Sequence, residues 1–421
     1  MALVAALQQR WLTGTGASTF QLMIPILGTV LLKLLYNGLF ASGRNSPASL
    51  RAPSIYGGLA PQMRKILDRM PMLSKPENGP PFLMGPVLQL LIFTVQQQVQ
   101  EMWATQQYQF VDEHIEVHLD GHESSQDCVV LSWLKCKALP EDAPIVLIAP
   151  GLNCSKASLP GTAAYKALRS RGCRVAVFHK RGIGAPLKTP VFHLFGHPSD
   201  FQTVIEHIAT RWPKAALHLV GYSSGNGLTG SHAALYSDNL PPSVASYALL
   251  VGGADYNFAF APPRRNFWSD VLLDWGLLYF TKQRMLTPNA DVLRAADPVG
   301  FQRAMTAKKM QELYQVCHKH FSGFPPEQEA RINPFSKGCA VLENMRVPLL
   351  WVLTEDDPVM PGGPPDFWFE PLRRLEMTAL AMFQHGSHLS CFRSWRLDRW
   401  VDQLLIEWLD ALGMEMESRT T

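Results

Sequence analysis

A serine, an acid and a histidine, far apart in the chain, have neighbours suited to nucleophilic chemistry. The serine lies in LHLVGYSSGNGLTG, residues 217 to 230, where two adjacent serines stand among four glycines after an apolar run. A serine hydroxyl is a poor nucleophile until a base takes its proton, so a histidine oriented by a carboxylate must accompany it. Gly221-Tyr222-Ser223-Ser224-Gly225 fits G-x-S-x-G at the passage from strand to helix. There the nucleophile sits on a sharp strained turn, and strand and helix backbones approach closely two positions before and two after it. Only a residue without a side chain fits at those points. For Ser223 they are Gly221 and Gly225; for Ser224 they are Tyr222 and Asn226, which would collide. Ser223 is therefore the expected nucleophile. The Ser224 amide, at a helix N-terminus, is an expected donor to an oxyanion.

With a nucleophile so placed, the acid follows in the chain and the histidine comes last. LTEDDPVMP supplies Glu355, Asp356 and Asp357 after an apolar strand. Asp357 begins D-P-x-x-P, whose prolines fix a turn that aims the carboxylate off the strand end, so it is preferred to Asp356. FQHGSHLS, before the final helix, offers His385 and His388, and His388 has the small neighbours that let it swing into place. The second oxyanion donor belongs to the loop after IVLIAP, where Leu152 follows Gly151 and its N–H is the choice. Asn153 and Cys154 would line the pocket. Cys154 is a poor nucleophile candidate, since no histidine follows it in the right relation. The alternatives for the acid and the histidine are a solvated acidic turn and an ordinary surface histidine.

These residues need a scaffold that brings strand ends together. Short β-rich runs at 144–150, 174–182, 217–223, 247–253, 347–357 and 379–388 alternate with helical segments at 165–172, 200–213 and 396–413. Near-continuous apolar strands alternating with helices give a mostly parallel sheet covered on both faces, with chemistry at the carboxyl ends of the strands. HIEVHL and VVLSWL read as antiparallel strands ahead of it. Between 258 and 340 the alternation lapses into helices, expected as a cap over the active face; packing helices on the sheet edge are the alternative.

The remaining sequence bounds the class. Of 421 residues, 47% are hydrophobic and 17% charged, which suits a packed core and hints at burial or membrane contact. A net charge of +3, with no basic block interleaved with aromatics, sets nucleic acid aside. Seven scattered cysteines show no zinc spacing, no metal or cofactor is expected, and a reducing compartment is favoured. Residues 1 to 67 contain no acid, and 20–41 is an apolar run long enough to cross a bilayer, interrupted by Lys33. A single-pass anchor, with the endoplasmic reticulum as its membrane, is expected; a mitochondrial or plastid transit peptide and a surface helix are the rivals. The domain plan is an N-terminal region and linker over 1–75, a catalytic domain over 76–413 and a tail over 414–421. The apolar stretch 80–95, broken by Gly85 and Pro86, reads as a buried or interfacial segment.

From about residue 80 to 412 the chain resembles the α/β-hydrolase superfamily, and within it AB hydrolase family 4, the YheT-like esterases, medium-chain fatty acyl ethanol O-acyltransferases/esterases and membrane lipases. The resemblance rests on VFHKRGIGAPLKTPVFHLFGHPSDFQTVIEHIATRWPKAALHLVGYSSGNG, on DG at 120 with Leu131 and Trp133, on PGL at 150 and on DDPVMP at 356. It implies an α/β-hydrolase fold with a helical cap, Ser223, Asp357 and His388 as a triad, and an N-terminal anchor. Ser224 stands where the family has Leu or Met, Ser387 where it has Gly, and Ser132 where it has Asp. The expected activity is hydrolysis of carboxylic esters of acyl chains, such as lipids, through an acyl-enzyme. Acyl transfer to an alcohol, and a non-catalytic membrane interaction protein, are the alternatives.

Overall fold

The computed structural model describes residues 51–420 apart from 78–84, 120–121, 261–265, 362 and 395. The expected anchor at 20–41 lies outside the described residues. No helix among the described residues is long and apolar enough to cross a membrane.

Nine strands form one sheet in the order β1-β9-β8-β7-β6-β4-β5-β3-β2. They are β1 (Ser54–Gly57), β2 (Phe110–Leu119), β3 (His122–Leu134), β4 (Ile145–Ala149), β5 (Arg174–His179), β6 (Leu217–Tyr222), β7 (Val244–Leu250), β8 (Leu349–Thr354) and β9 (Thr378–Phe383). β5, β4, β6, β7, β8 and β9 run parallel; the β2–β3 hairpin joins antiparallel at β5, and β1 joins antiparallel at β9. This is the α/β-hydrolase order, with β1 added at the far edge.

Strand alternation divides the core. In β8, Leu350 and Val352 face one apolar cluster while Leu349, Trp351 and Leu353 face another. Both clusters are covered by helices, so both faces of each strand must be apolar. The first is covered by α1 (Pro61–Asp68), α2 (Pro86–Gln107), α3 (Leu159–Ser170) and α10 (Trp400–Thr420). The second is covered by α4 (Pro198–Arg211), α5 (Ser224–Tyr236) and α9 (Asp366–Leu372). Proline at the first position of α1, α2 and α4 supplies no amide where none is needed and has the right φ. Pro86 therefore starts α2, although in sequence it looked like an interruption. α4 begins before Asp200, which falls in its first turn.

Two boundaries differ from the sequence reading. Residues 51–75, expected to be linker, contribute β1 and α1, with Met63 and Ile66 fully buried, and belong to the compact unit that holds the sheet. β1 covers the edge of β9, which would otherwise offer unpaired amides and carbonyls. At the other end, α10 runs on through the expected tail to Thr420.

Between β7 and β8 the chain leaves the sheet. A helical run over residues 267–286 with two π-helical stretches leads to α6 (Ala290–Ala296), α7 (Pro298–Thr306) and α8 (Met310–Phe321). These helices have an apolar core of their own, shared with Leu187, Phe192, Leu194 and Phe195 from the segment after β5.

Candidate active site

β6 ends at Tyr222 and α5 begins at Ser224, leaving Ser223 at φ 53° and ψ −116°. Such a conformation is costly in a residue with a side chain and is held by its surroundings. The Ser223 amide donates to the Leu250 carbonyl at 3.2 Å, and its carbonyl accepts the Asn226 amide at 3.0 Å. A Cβ on Gly221 would fall 2.7 Å from the Gly225 carbonyl oxygen, as the spacing argument requires. A Cβ on Gly225 would meet a different wall, the Ala149 carbonyl of β4 at 2.0 Å. A third close approach gave no signal in the motif: Gly252, after β7, lies against the Ser223 backbone. Asn226 Nδ2 and Trp351 Nε1 hold it there by donating to the Gly252 carbonyl at 3.0 and 3.1 Å.

His388 Nε2 is 2.7 Å from Ser223 Oγ, and His388 Nδ1 is 2.7 Å from Asp357 Oδ2. A carboxylate accepts and does not donate, so Nδ1 carries the proton towards Asp357 and Nε2 is left to accept from the serine hydroxyl. Asp357 Oδ1 accepts the Val359 and Met360 amides at 2.8 and 3.0 Å. That turn, between Pro358 and Pro361, points the other oxygen at the imidazole. His388 and Asp357 are both buried, while Ser223 keeps intermediate exposure.

Beside the serine, the β4 loop packs so closely that a Cβ on Gly151 would lie 3.3 Å from Ser223 Cβ. Among the described residues, neither the Leu152 nor the Ser224 amide donates a backbone hydrogen bond. Asn153 Nδ2 donates to Thr281 Oγ1 at 3.0 Å in the helical run after β7. From the same run Arg284 donates to the Asn153 carbonyl at 2.8 Å and pairs with Glu101 of α2 at 3.0 Å. The inserted helices thus touch the β4 loop at the carboxyl end of the sheet. Cys154 is buried, and burial first, then the Glu101 charge, raises its thiol above the ordinary range. Lys180, at the end of β5, is buried with its Nζ 3.2 Å from the Leu194 carbonyl, and burial pushes it down to about 8. Ser224 Oγ is buried and has no hydrogen-bond partner among the described residues.

The rejected candidates are close by. Asp356 and His385 face one another, Oδ2 to Nδ1, at 3.5 Å. Among the described residues, no group of histidine, cysteine, aspartate and glutamate is arranged to hold a metal ion.

No family model matches the chain. It is similar to Protein ABHD15 from Homo sapiens, 28% identical over 253 residues covering 58% of this chain and 50% of that protein. The chain thus spans about half the length of that curated relative. It is also similar to Abhydrolase domain-containing protein 2 from Drosophila melanogaster, 21% identical over 300 residues covering 66% of this chain and 72% of that protein. Among solved structures, the Pyrobaculum calidifontis esterase covers 86% of this chain and 99% of its own, at 12% identity and a TM-score of 0.47. With the strand order, the serine turn between β6 and α5 and these abhydrolase relatives, the chain is a member of the α/β-hydrolase superfamily.

Proposed function

We propose that the protein is a serine hydrolase of the AB hydrolase family 4 kind that cleaves carboxylic esters of acyl chains through an acyl-enzyme. The observation that carries this reading is the unbroken relay of two 2.7 Å contacts from Ser223 through His388 to Asp357. Ser223 Oγ attacks the ester carbonyl carbon as its proton passes to His388 Nε2, and Asp357 stabilises the imidazolium. The Leu152 and Ser224 amides receive the oxyanion, and the two of them supply several kcal/mol by analogy with other oxyanion holes, at about 3 kcal/mol for each donor. Collapse expels the alkoxide, which takes the proton back from His388. Water, deprotonated by His388, then attacks the acyl ester, and the acid leaves Ser223 free. The apolar core of the inserted helices supports an apolar acyl substrate, and residues 20–41 are the proposed membrane anchor.

The test is labelling of the purified protein with a fluorophosphonate, comparing wild type, Ser223→Ala and Ser224→Ala. Labelling lost in S223A and kept in S224A is expected. A folded wild type that does not label refutes the enzyme reading, and loss in S224A alone refutes the choice of serine. Turnover of p-nitrophenyl acyl esters of graded length, with and without ethanol, then separates hydrolysis from acyl transfer.

A further inference from the structure

Asp356 and His385 form a second acid–histidine pair next to the first, and its geometry gives it a different task. Asp356 Oδ1 accepts the Gly386 amide at 3.0 Å and the Ser387 amide at 2.8 Å. Those two residues immediately precede His388. The turn they open is strained: Ser387, Leu389 and Cys391, none of them glycine, have φ of 55°, 64° and 47°. Such backbone persists when its surroundings over-determine it.

Several bonds do so here. The Thr354 hydroxyl donates to the Ser387 carbonyl at 2.6 Å, and the Ser387 hydroxyl donates to the Pro86 carbonyl at 2.6 Å. Arg399 donates to the Leu389 carbonyl at 3.1 Å, and the Cys391 amide to the Gly386 carbonyl at 2.8 Å. The Asp356 bonds, like that of Arg399, involve an ionised group and so are stronger than neutral ones, and here one carboxylate oxygen takes two successive amides. They also start from the residue covalently joined to Asp357. The end of β8 therefore grips the imidazole through Asp357 and the main chain that carries it through Asp356.

We infer that Asp356 is a positioning residue for His388, fixing its backbone so that Nε2 meets Ser223 Oγ. The inference rests on the proposed role of His388. Asp356→Ala removes the acceptor, and Asp356→Asn keeps an oxygen for the two amides while removing the charge. A displacement near 1 Å at a reacting group costs on the order of 100-fold. The expected result in D356A is therefore a loss of about 10- to 100-fold in fluorophosphonate labelling rate and in kcat, with KM changed by less than about threefold. D356N is expected to recover to within about threefold of wild type. Alongside, the downfield NMR proton of His388 Nδ1–H, assigned by its loss in His388→Ala, should shift or broaden in D356A and return in D356N.

A folded D356A with the wild-type labelling rate and an unmoved His388 signal overturns the inference. So does a D356N as impaired as D356A, because restoring the acceptor would then not restore the position of His388. If D356A does not fold, Asp356→Glu, which moves the oxygens by a methylene, takes its place under the same criteria. A wild type that fails to label refutes the proposed hydrolase, while the His388 signal still decides whether Asp356 positions the ring.

Discussion

Gly252→Ala perturbs Ser223, the proposed nucleophile, through its backbone, leaving the side chains of all three proposed triad members unchanged. An added Cβ would lie 2.5 Å from the Ser223 carbonyl oxygen, 2.6 Å from its Cα and 2.7 Å from its carbonyl carbon. All three are backbone atoms, so no flexible side chain can turn aside. Gly252 does not have a positive φ, so alanine meets no backbone penalty of its own, and the effect is steric alone. Restoring ordinary contact at 3.4 Å requires about 0.9 Å of separation between β7's exit and the serine turn. The Gly252 carbonyl is pinned by Asn226 and Trp351, so part of that movement falls on Ser223. Overpacking of this kind costs about 1–3 kcal/mol, and a domain this long, with about 2.1 cal/mol/K of unfolding entropy per residue, loses roughly 1–2 °C in Tm per kcal/mol. The expected outcome is a Tm lowered by about 1–6 °C and a labelling rate lowered by on the order of 100-fold. Gly413→Ala is the control, since a Cβ there meets nothing within 4 Å. A G252A protein that labels at the wild-type rate refutes the claim that this contact sets the nucleophile's position. A lowered Tm with an unchanged rate would show the strain relaxing away from Ser223.

Asp200 and Arg181 form a fully buried bidentate pair, with bonds of 2.7 and 2.8 Å. Burial pushes the Asp200 carboxyl up, but the Arg181 and His197 bonds outweigh it and hold the carboxyl below the ordinary range. Its folded pKa is depressed, so the stabilisation is present above the unfolded value and lost as pH falls through the folded one. Asp200→Asn should cost about 3–5 kcal/mol in denaturant titration at neutral pH and much less at strongly acid pH; a pH-independent difference would refute the pairing. His385 titrates the other way. The Asp356 carboxylate, 3.5 Å away, raises its imidazole above the usual range although burial opposes this, so its contribution is full below the unfolded value and fades as pH rises through the folded one. Histidine NMR titration should show this upward shift in wild type and its loss in D356N; an unshifted His385 would mean the 3.5 Å approach carries no interaction.

The sheet was legible because its physics is periodic. Runs such as LHLVGY and PLLWVLT must be apolar on both faces, and that leaves a mark at every position. The serine turn was legible for a local reason as well: glycines two residues to either side of Ser223 report a close approach within a span of five. β1 was missed because SIYG has four residues and alternates weakly, its place depending on the exposed edge of β9 that it pairs with. Gly252 was missed because its reason for being glycine is the Ser223 backbone, 29 positions away at the end of another strand. Asn153, a positive-φ residue, could be placed in the loop after β4, but its bond to the insertion could not. Its partner Thr281 lies in an insertion whose path across the molecule no local pattern encodes.

The same distinction explains how Asp356 and His385 could look like rivals of Asp357 and His388. Sequence offers two acids and two histidines with similar neighbours, and a motif can rank them only as candidates for one role. In the fold, successive residues after β8 send their carboxylates to different targets, one to an imidazole and one to the amides preceding it. Helix α2 adds a constraint that the hydrolase pattern alone does not contain. Its first residue accepts the Ser387 hydroxyl beside the histidine. Its Glu101, some four turns on, accepts Ser158 Oγ at 2.8 Å and pairs with the Arg284 that holds the Asn153 carbonyl. One helix thus reaches both the turn that carries His388 and, through Arg284 and Ser158, the loop that contains Leu152. Ser387, in a left-handed conformation that glycine would adopt at less cost, carries a hydroxyl there because α2 is present to accept it.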